Sequence, residues 1–157
     1  MKIIILYFMF LSFSFYGQKN IDTKKSEIDS IVNYIEKSKI TLKESIVEGE
    51  IIAKKLFVKN GGWEVYVLNN NFNIPIRITY SENFNNVYRK LVYYYNNEKI
   101  IFVNFQIEFK KQKLRKNSKN IKFYFENELL LFASEYDENY NSSSILLEEI
   151  NMKNLID

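Results

Sequence analysis

The side chains that could do chemistry in this chain are carboxylates. There is no histidine and no cysteine, so imidazole proton transfer, thiolate nucleophiles and imidazole- or thiolate-based metal centres are outside its repertoire. Glu48, Glu50, Glu64, Glu108, Glu126, Glu128 and Glu135 qualify by type for acid–base work, which needs two carboxyl groups held a set distance apart in a cleft. They fall at turn and solvent-side strand positions, where a solvated charge is the ordinary state. No serine stands in a nucleophile-elbow setting beside a lysine. Gly61-Gly62 opens a strand and not a helix, so it is no phosphate loop. The expectation is a protein that is not an enzyme, with a carboxylate-dependent envelope hydrolase as an alternative.

One spacing fits a metal. Asp137, Asn139 and Asn141 stand at alternate positions and Glu148 follows on a helix, the pattern of positions 1, 3, 5 and 12 of a calcium loop. Ser142 occupies the place where that loop turns sharply on a glycine, and only two of the four side chains are charged. A polar loop leading into a capped helix reads the same residues as well. No cofactor is expected, and calcium is the one ion the spacing would admit.

The concentrated charge is Lys110-Lys111-Gln112-Lys113-Leu114-Arg115-Lys116, continued by Lys119 and Lys122. Such a stretch suits an anionic envelope polymer, a peripheral lipid headgroup surface or an acidic protein, and equally a solvated hairpin tip. Nucleic acid is not expected, because the chain is nearly balanced at a net charge of +3.

The candidate binding surface is aromatic. Tyr66, Tyr88, Tyr94 and Tyr124 fall opposite the apolar alternation of their strands, with Arg77, Asn104 and Gln106. Tyrosine is apolar in body and polar at its tip, so such a face can grip protein or stack on sugar rings. The competing reading is that tyrosine is a good strand former, or that the C-terminal helix covers this side.

The elements that must position these groups follow from periodicity. Ile28, Ile31, Val32 and Ile35 share one face of an amphipathic helix over 22–39, with Asp22 or Thr23 as its cap. After residue 41 the period becomes 2. Strands are expected at 50–59, from Trp63 to Leu68 after an Asn60-Gly61-Gly62 turn, and at 74–80, with Pro75 at an edge or a strand start. Residues 81–86 read as loop. Hairpins are expected at 87–95/99–110, turning at 96–98, and at 121–125/128–135, turning at Glu126-Asn127. Ser142–Ile156 reads as a second, serine-capped helix. The stretch 93–102 aligns without gaps on 123–132, which implies similar hairpins.

The fold class is therefore α+β. An N-terminal amphipathic helix is expected to pack on one antiparallel meander of about 5–7 strands, with a short C-terminal helix. The expected helix-bearing face holds Val65, Val67, Ile76, Ile78, Leu91, Phe105, Ile107, Phe123 and Phe125.

Residues 1–17 carry Lys2, an apolar run from Ile3 and the small Gly17, the layout of a secretory signal peptide. Cleavage after Gly17 is expected, leaving 18–157 as one domain in the periplasm or outside the cell. Without cleavage, because Phe15 sits where a small residue is preferred, the domain would be membrane-tethered. Export makes the missing cysteines informative, since disulfides were available there. The expected function is a small exported binding or interaction protein of the cell envelope, its partner a protein or envelope polymer. An inhibitor or immunity-type protein that blocks an enzyme is the nearest alternative.

Overall fold

Alternation of side chains along each strand builds a sheet with two buried faces, and each face takes one helix. The computed structural model describes the backbone of residues 2–38, 42–54 and 58–156, and the side chains of 20–38, 42–51 and 61–154. Helix α1 spans Lys2–Ser38. Strands β1 (Lys43–Lys54), β2 (Val58–Asn69), β3 (Pro75–Phe84), β4 (Val87–Asn96), β5 (Lys99–Phe109), β6 (Lys119–Glu126) and β7 (Leu129–Ala133) follow, and helix α2 spans Ser142–Ile156. The strands form one antiparallel sheet in chain order, β1 to β7. This is the α+β architecture read from the periodicity, with the strand count at its upper bound. Among the described residues no helix is long and apolar enough to cross a membrane.

Three hairpins turn on two residues at positive φ: Asn85-Asn86, Asn97-Glu98 and Asn127-Glu128. That geometry is the primed turn whose twist matches the flanking strands, and asparagine tolerates it well. The aligned hairpins repeat each other in structure. In each the register slips at the same place, so that Tyr94 faces Phe102 but Tyr95 faces Ile100, and Tyr124 faces Phe132 but Phe125 faces Leu130. The extra residue of each bulge, Ile101 or Leu131, turns to the same side as the phenylalanine after it. A third slip sets Leu68 against Arg77 but Asn69 against Pro75. It turns Ile76 to that side as well, away from Val65, Val67 and Ile78, with which simple alternation had grouped it.

The helices lie on the opposite faces from those expected. The apolar face, with Val65, Leu91, Phe105 and Phe123, buries Ile145 and Met152 of α2. Tyr93 donates its hydroxyl proton to the Ile145 carbonyl at 2.9 Å, and Tyr95 donates to Glu149 Oε1 at 3.0 Å. The tyrosine-bearing face takes α1, whose Ile28 and Ile35 are buried among Leu68, Val92, Tyr94, Phe102 and Tyr124. A run of three tyrosines, Tyr93 to Tyr95, is buried throughout, so β4 needs a cover on each side.

Several boundaries also differ, among them the first strand, which is Lys43–Lys54 and not 50–59. Helix α1 does not begin at a cap on Asp22 or Thr23 but runs continuously from Lys2, because Gly17 is the one helix-weakening residue there and a single glycine costs only about 1 kcal/mol. Asn60-Gly61-Gly62 is not a turn. It lies within β2, paired to Ile52, Ile51 and Glu50, and the β1–β2 connection falls outside the described residues. The glycines are needed for approach: a Cβ on Gly49 would sit 2.5 Å from the Trp63 ring, and one on Gly61 2.5 Å from the Asn83 carbonyl oxygen. Finally, 81–86 is strand as far as Phe84, and α2 is capped by Asn141, whose Oδ1 accepts the Ser144 N–H at 3.0 Å.

Candidate functional site

The α1-bearing face is divided along its strands. Register aligns Glu44, Leu68, Arg77, Tyr94, Phe102 and Tyr124 in one row across the sheet. Helix α1 crosses that row. Lys25 Nζ lies 3.9 Å from the Phe132 ring centre at one end, and Glu36 Oε1 accepts from Arg77 Nη1 at 2.8 Å at the other. Farther along the strands lie the row Glu48, Glu64, Ser81, Lys90, Gln106 and the row Glu50, Gly62, Asn83, Tyr88, Glu108. These polar rows are left open as a groove.

Two adjoining cavities occupy it. The larger, of about 630 Å³, is lined by Glu48, Glu50, Trp63, Glu64, Glu82 and Tyr88, among others. The smaller, of about 290 Å³, lies toward α1 and is lined by Glu64, Tyr66, Arg77, Tyr88 and Lys90. Glu64, Ser81 and Tyr88 border both. Glu64 is held by neutral donors, with Ser81 Oγ–H donating at 2.5 Å and Tyr66 O–H at 3.1 Å. The bond to Glu64 raises the Tyr66 phenol above its ordinary range. Burial raises that of Tyr88, and the Glu64 charge adds to it. Glu82 accepts from Tyr80 at 2.6 Å and lies 2.8 Å from Arg89 Nε. Among the described residues no cation pairs with Glu48, Glu50 or Glu64, so the larger cavity presents unpaired carboxylates beside Tyr88, while the Trp63 ring packs on the α2 side over Gly49.

The expected binding residues divide accordingly. Tyr66, Arg77 and Tyr88 line the groove. Tyr94 borders it too, but is only 7 % exposed, its hydroxyl donating to Glu36 at 3.0 Å. Tyr124 lies outside it under α1, its hydroxyl donating to Asp29 Oδ1 at 3.0 Å. Arg77 is almost fully buried and spans Glu36 and Glu44, which joins α1 to β1. The chain pattern alone did not single out Trp63, Ser81, Glu82 or Lys90. The signal was Gly49 and Gly61 flanking a strand with a tryptophan, a sign of close side-chain approach in a sheet.

Three of the four calcium-pattern side chains, those of Asp137, Asn141 and Glu148, have another partner. Asp137 takes the Lys119 ammonium and the Asn139 N–H, and Lys119 holds its carboxyl below the usual range. Asn141 caps α2 and donates to the Glu138 carbonyl. Glu148 accepts from Arg89 at 2.7 Å. Burial pushes the Glu148 carboxyl up, against the opposing pull of Arg89. Among the described residues no group of three or more acids gathers as a metal site.

The chain matches no family model, no curated protein and no solved structure. Its class is therefore stated in its own terms: a seven-stranded antiparallel meander with a helix on each face and an acidic, aromatic groove at the side of the N-terminal helix.

Proposed function

We propose that this chain is a small exported protein of the cell envelope that binds a partner without catalysis, and that the groove on β1–β4 takes a positively charged part of that partner. One observation carries the reading: Glu48, Glu50 and Glu64 line a cavity of about 630 Å³ with Tyr88 and no cation of the described residues is against them. Carboxylates beside aromatic faces suit an ammonium or guanidinium group, which gains from both. The test is capture from the envelope fraction by crosslinking and pull-down, in wild type and in a Glu48→Gln/Glu64→Gln variant. The expected result is a basic-surfaced partner held by wild type, released by salt and lost from the variant. Equal retention by both proteins would end the reading. A single stoichiometric enzyme, silenced on binding, would make the chain an inhibitor of immunity type.

A second reading has its own observation. Glu48 and Glu64 are direct cross-strand partners that share a cavity, which is the minimum a carboxylate-dependent hydrolase needs. Turnover of an envelope glycan by the purified chain, abolished by Glu64→Gln, would favour that reading over binding alone.

A further inference from the structure

Between Glu108 and Glu126 the chain carries seven basic residues and no acidic one. The structure gathers five of them at one place. Residues Gln112–Asn117 form a 3-10 turn between β5 and β6, with no buried residue. It is a defined shape: Leu114 N–H donates to the Lys111 carbonyl at 2.9 Å, and Ser118 N–H to the Arg115 carbonyl at 3.0 Å. Ser118 Oγ accepts the Phe109 N–H at 3.1 Å, which closes its base. Lys119 is occupied by Glu135 and Asp137, and Lys110 reaches Asn83. Lys111, Lys113, Arg115 and Lys116 are exposed and have no acid against them among the described residues. The neighbouring turn at this end of the sheet, Asn85-Asn86, is uncharged. The turns at the opposite end carry Glu98, followed by Lys99, and Glu128.

The second feature is Leu114, 41 % exposed between Lys113 and Arg115. An exposed apolar side chain flanked by bases has nothing to bury against on a soluble polyanion. At a lipid surface it enters the headgroup boundary while the bases meet phosphate. The geometry points to the Lys110–Lys116 tip as a peripheral docking element for an anionic phospholipid surface, with the sheet standing end-on to the membrane. It does not rest on the groove reading, although Lys110 donates to Asn83, which borders that groove.

The experiment uses the full chain and vesicles of phosphatidylglycerol with phosphatidylcholine, against phosphatidylcholine alone. Each base near an anionic surface strengthens binding by about fivefold, so reversing three should weaken it by more than about 100-fold. Wild type is expected to co-sediment with the anionic vesicles and to be released by salt, and Lys113→Glu/Arg115→Glu/Lys116→Glu is expected to remain in solution. Because the chain has a single tryptophan, a Leu114→Trp variant reports the tip by its difference from wild type. Its emission should shift to the blue on anionic vesicles and not on soluble polyglutamate. Three results would overturn the inference: equal binding by the charge-reversed variant, which would assign attachment to residues 3–16; equal binding to neutral vesicles; or a polyglutamate complex as tight as the vesicle one, with no blue shift.

Discussion

One face of this sheet has two regions of opposite character, one under α1 and one left open. Under α1 the exposed fraction falls to 6 % at Phe102, whose ring centre lies 5.6 Å from that of Tyr94 and 4.9 Å from that of Tyr124. On β1, at the other side of this face, Glu48 and Glu50 are exposed. The aligned bulges account for much of the difference. Each gives the covered half two consecutive side chains on one side, such as Ile101 and Phe102, so it presents a thicker apolar layer than alternation alone supplies. The open half keeps simple alternation, and its polar residues have no second layer. A face divided in this way uses the covered half for stability and leaves the other half available to a partner.

The comparison can be broken most severely in the covered half. Phe102→Ala should cost about 3–5 kcal/mol, since a buried ring leaves both lost transfer energy and a cavity, read as a lower urea midpoint. Next comes the opposite side of β1 and β2, behind the groove. Gly49→Val places a side chain where the Trp63 ring now lies. Overpacking of this kind costs about 1–3 kcal/mol, and the Trp63 emission should change with it. A smaller effect is expected for Tyr124→Phe, about 0.5–1.5 kcal/mol for one hydrogen bond.

Tyr124 also gives a pH signature. Burial, together with the hydrogen bond to Asp29, pushes its phenol up to about 12. The folded state therefore keeps this proton after the unfolded chain has lost it. The associated stability is full below the ordinary tyrosine value near 10 and is lost as pH rises toward 12. Tyr124→Phe should make the alkaline loss of stability shallower, measured by urea denaturation between pH 9 and 12. In the open half the effect on stability should be least. Glu48→Gln is expected to change it by no more than about 0.5 kcal/mol, as for an exposed residue with no partner.

Much of the frame was legible in the residues. The alternation Val103, Phe105, Ile107 over Asn104 and Gln106 placed β5, the paired asparagine-containing turns placed the hairpins, and Ser142–Ile156 is helical as read. What escaped depends on contacts far apart in the chain. Which helix covers which face is decided by groups such as Asp29 and Tyr124, or Tyr93 and Ile145, and no local pattern reports them. The three bulges shift parity within a strand, so Ile76 appeared on the wrong face. Asn60-Gly61-Gly62 has turn composition, yet the space taken by Trp63, Phe84 and a neighbouring backbone explains glycine at Gly49 and Gly61. Of the residues that line the groove, Tyr66, Arg77 and Tyr88 were placed on this face by alternation. Tyr94 and Tyr124 share that alternation and were separated from them only by where α1 lies.

The measurement that bears most directly on this account is parallel capture and stability of wild type, Glu48→Gln/Glu64→Gln and Tyr124→Phe. The account predicts that the glutamine variant loses its partner at a near wild-type urea midpoint, while Tyr124→Phe keeps the partner at a lowered one. Retention by the glutamine variant, or loss by Tyr124→Phe while still folded, would contradict it.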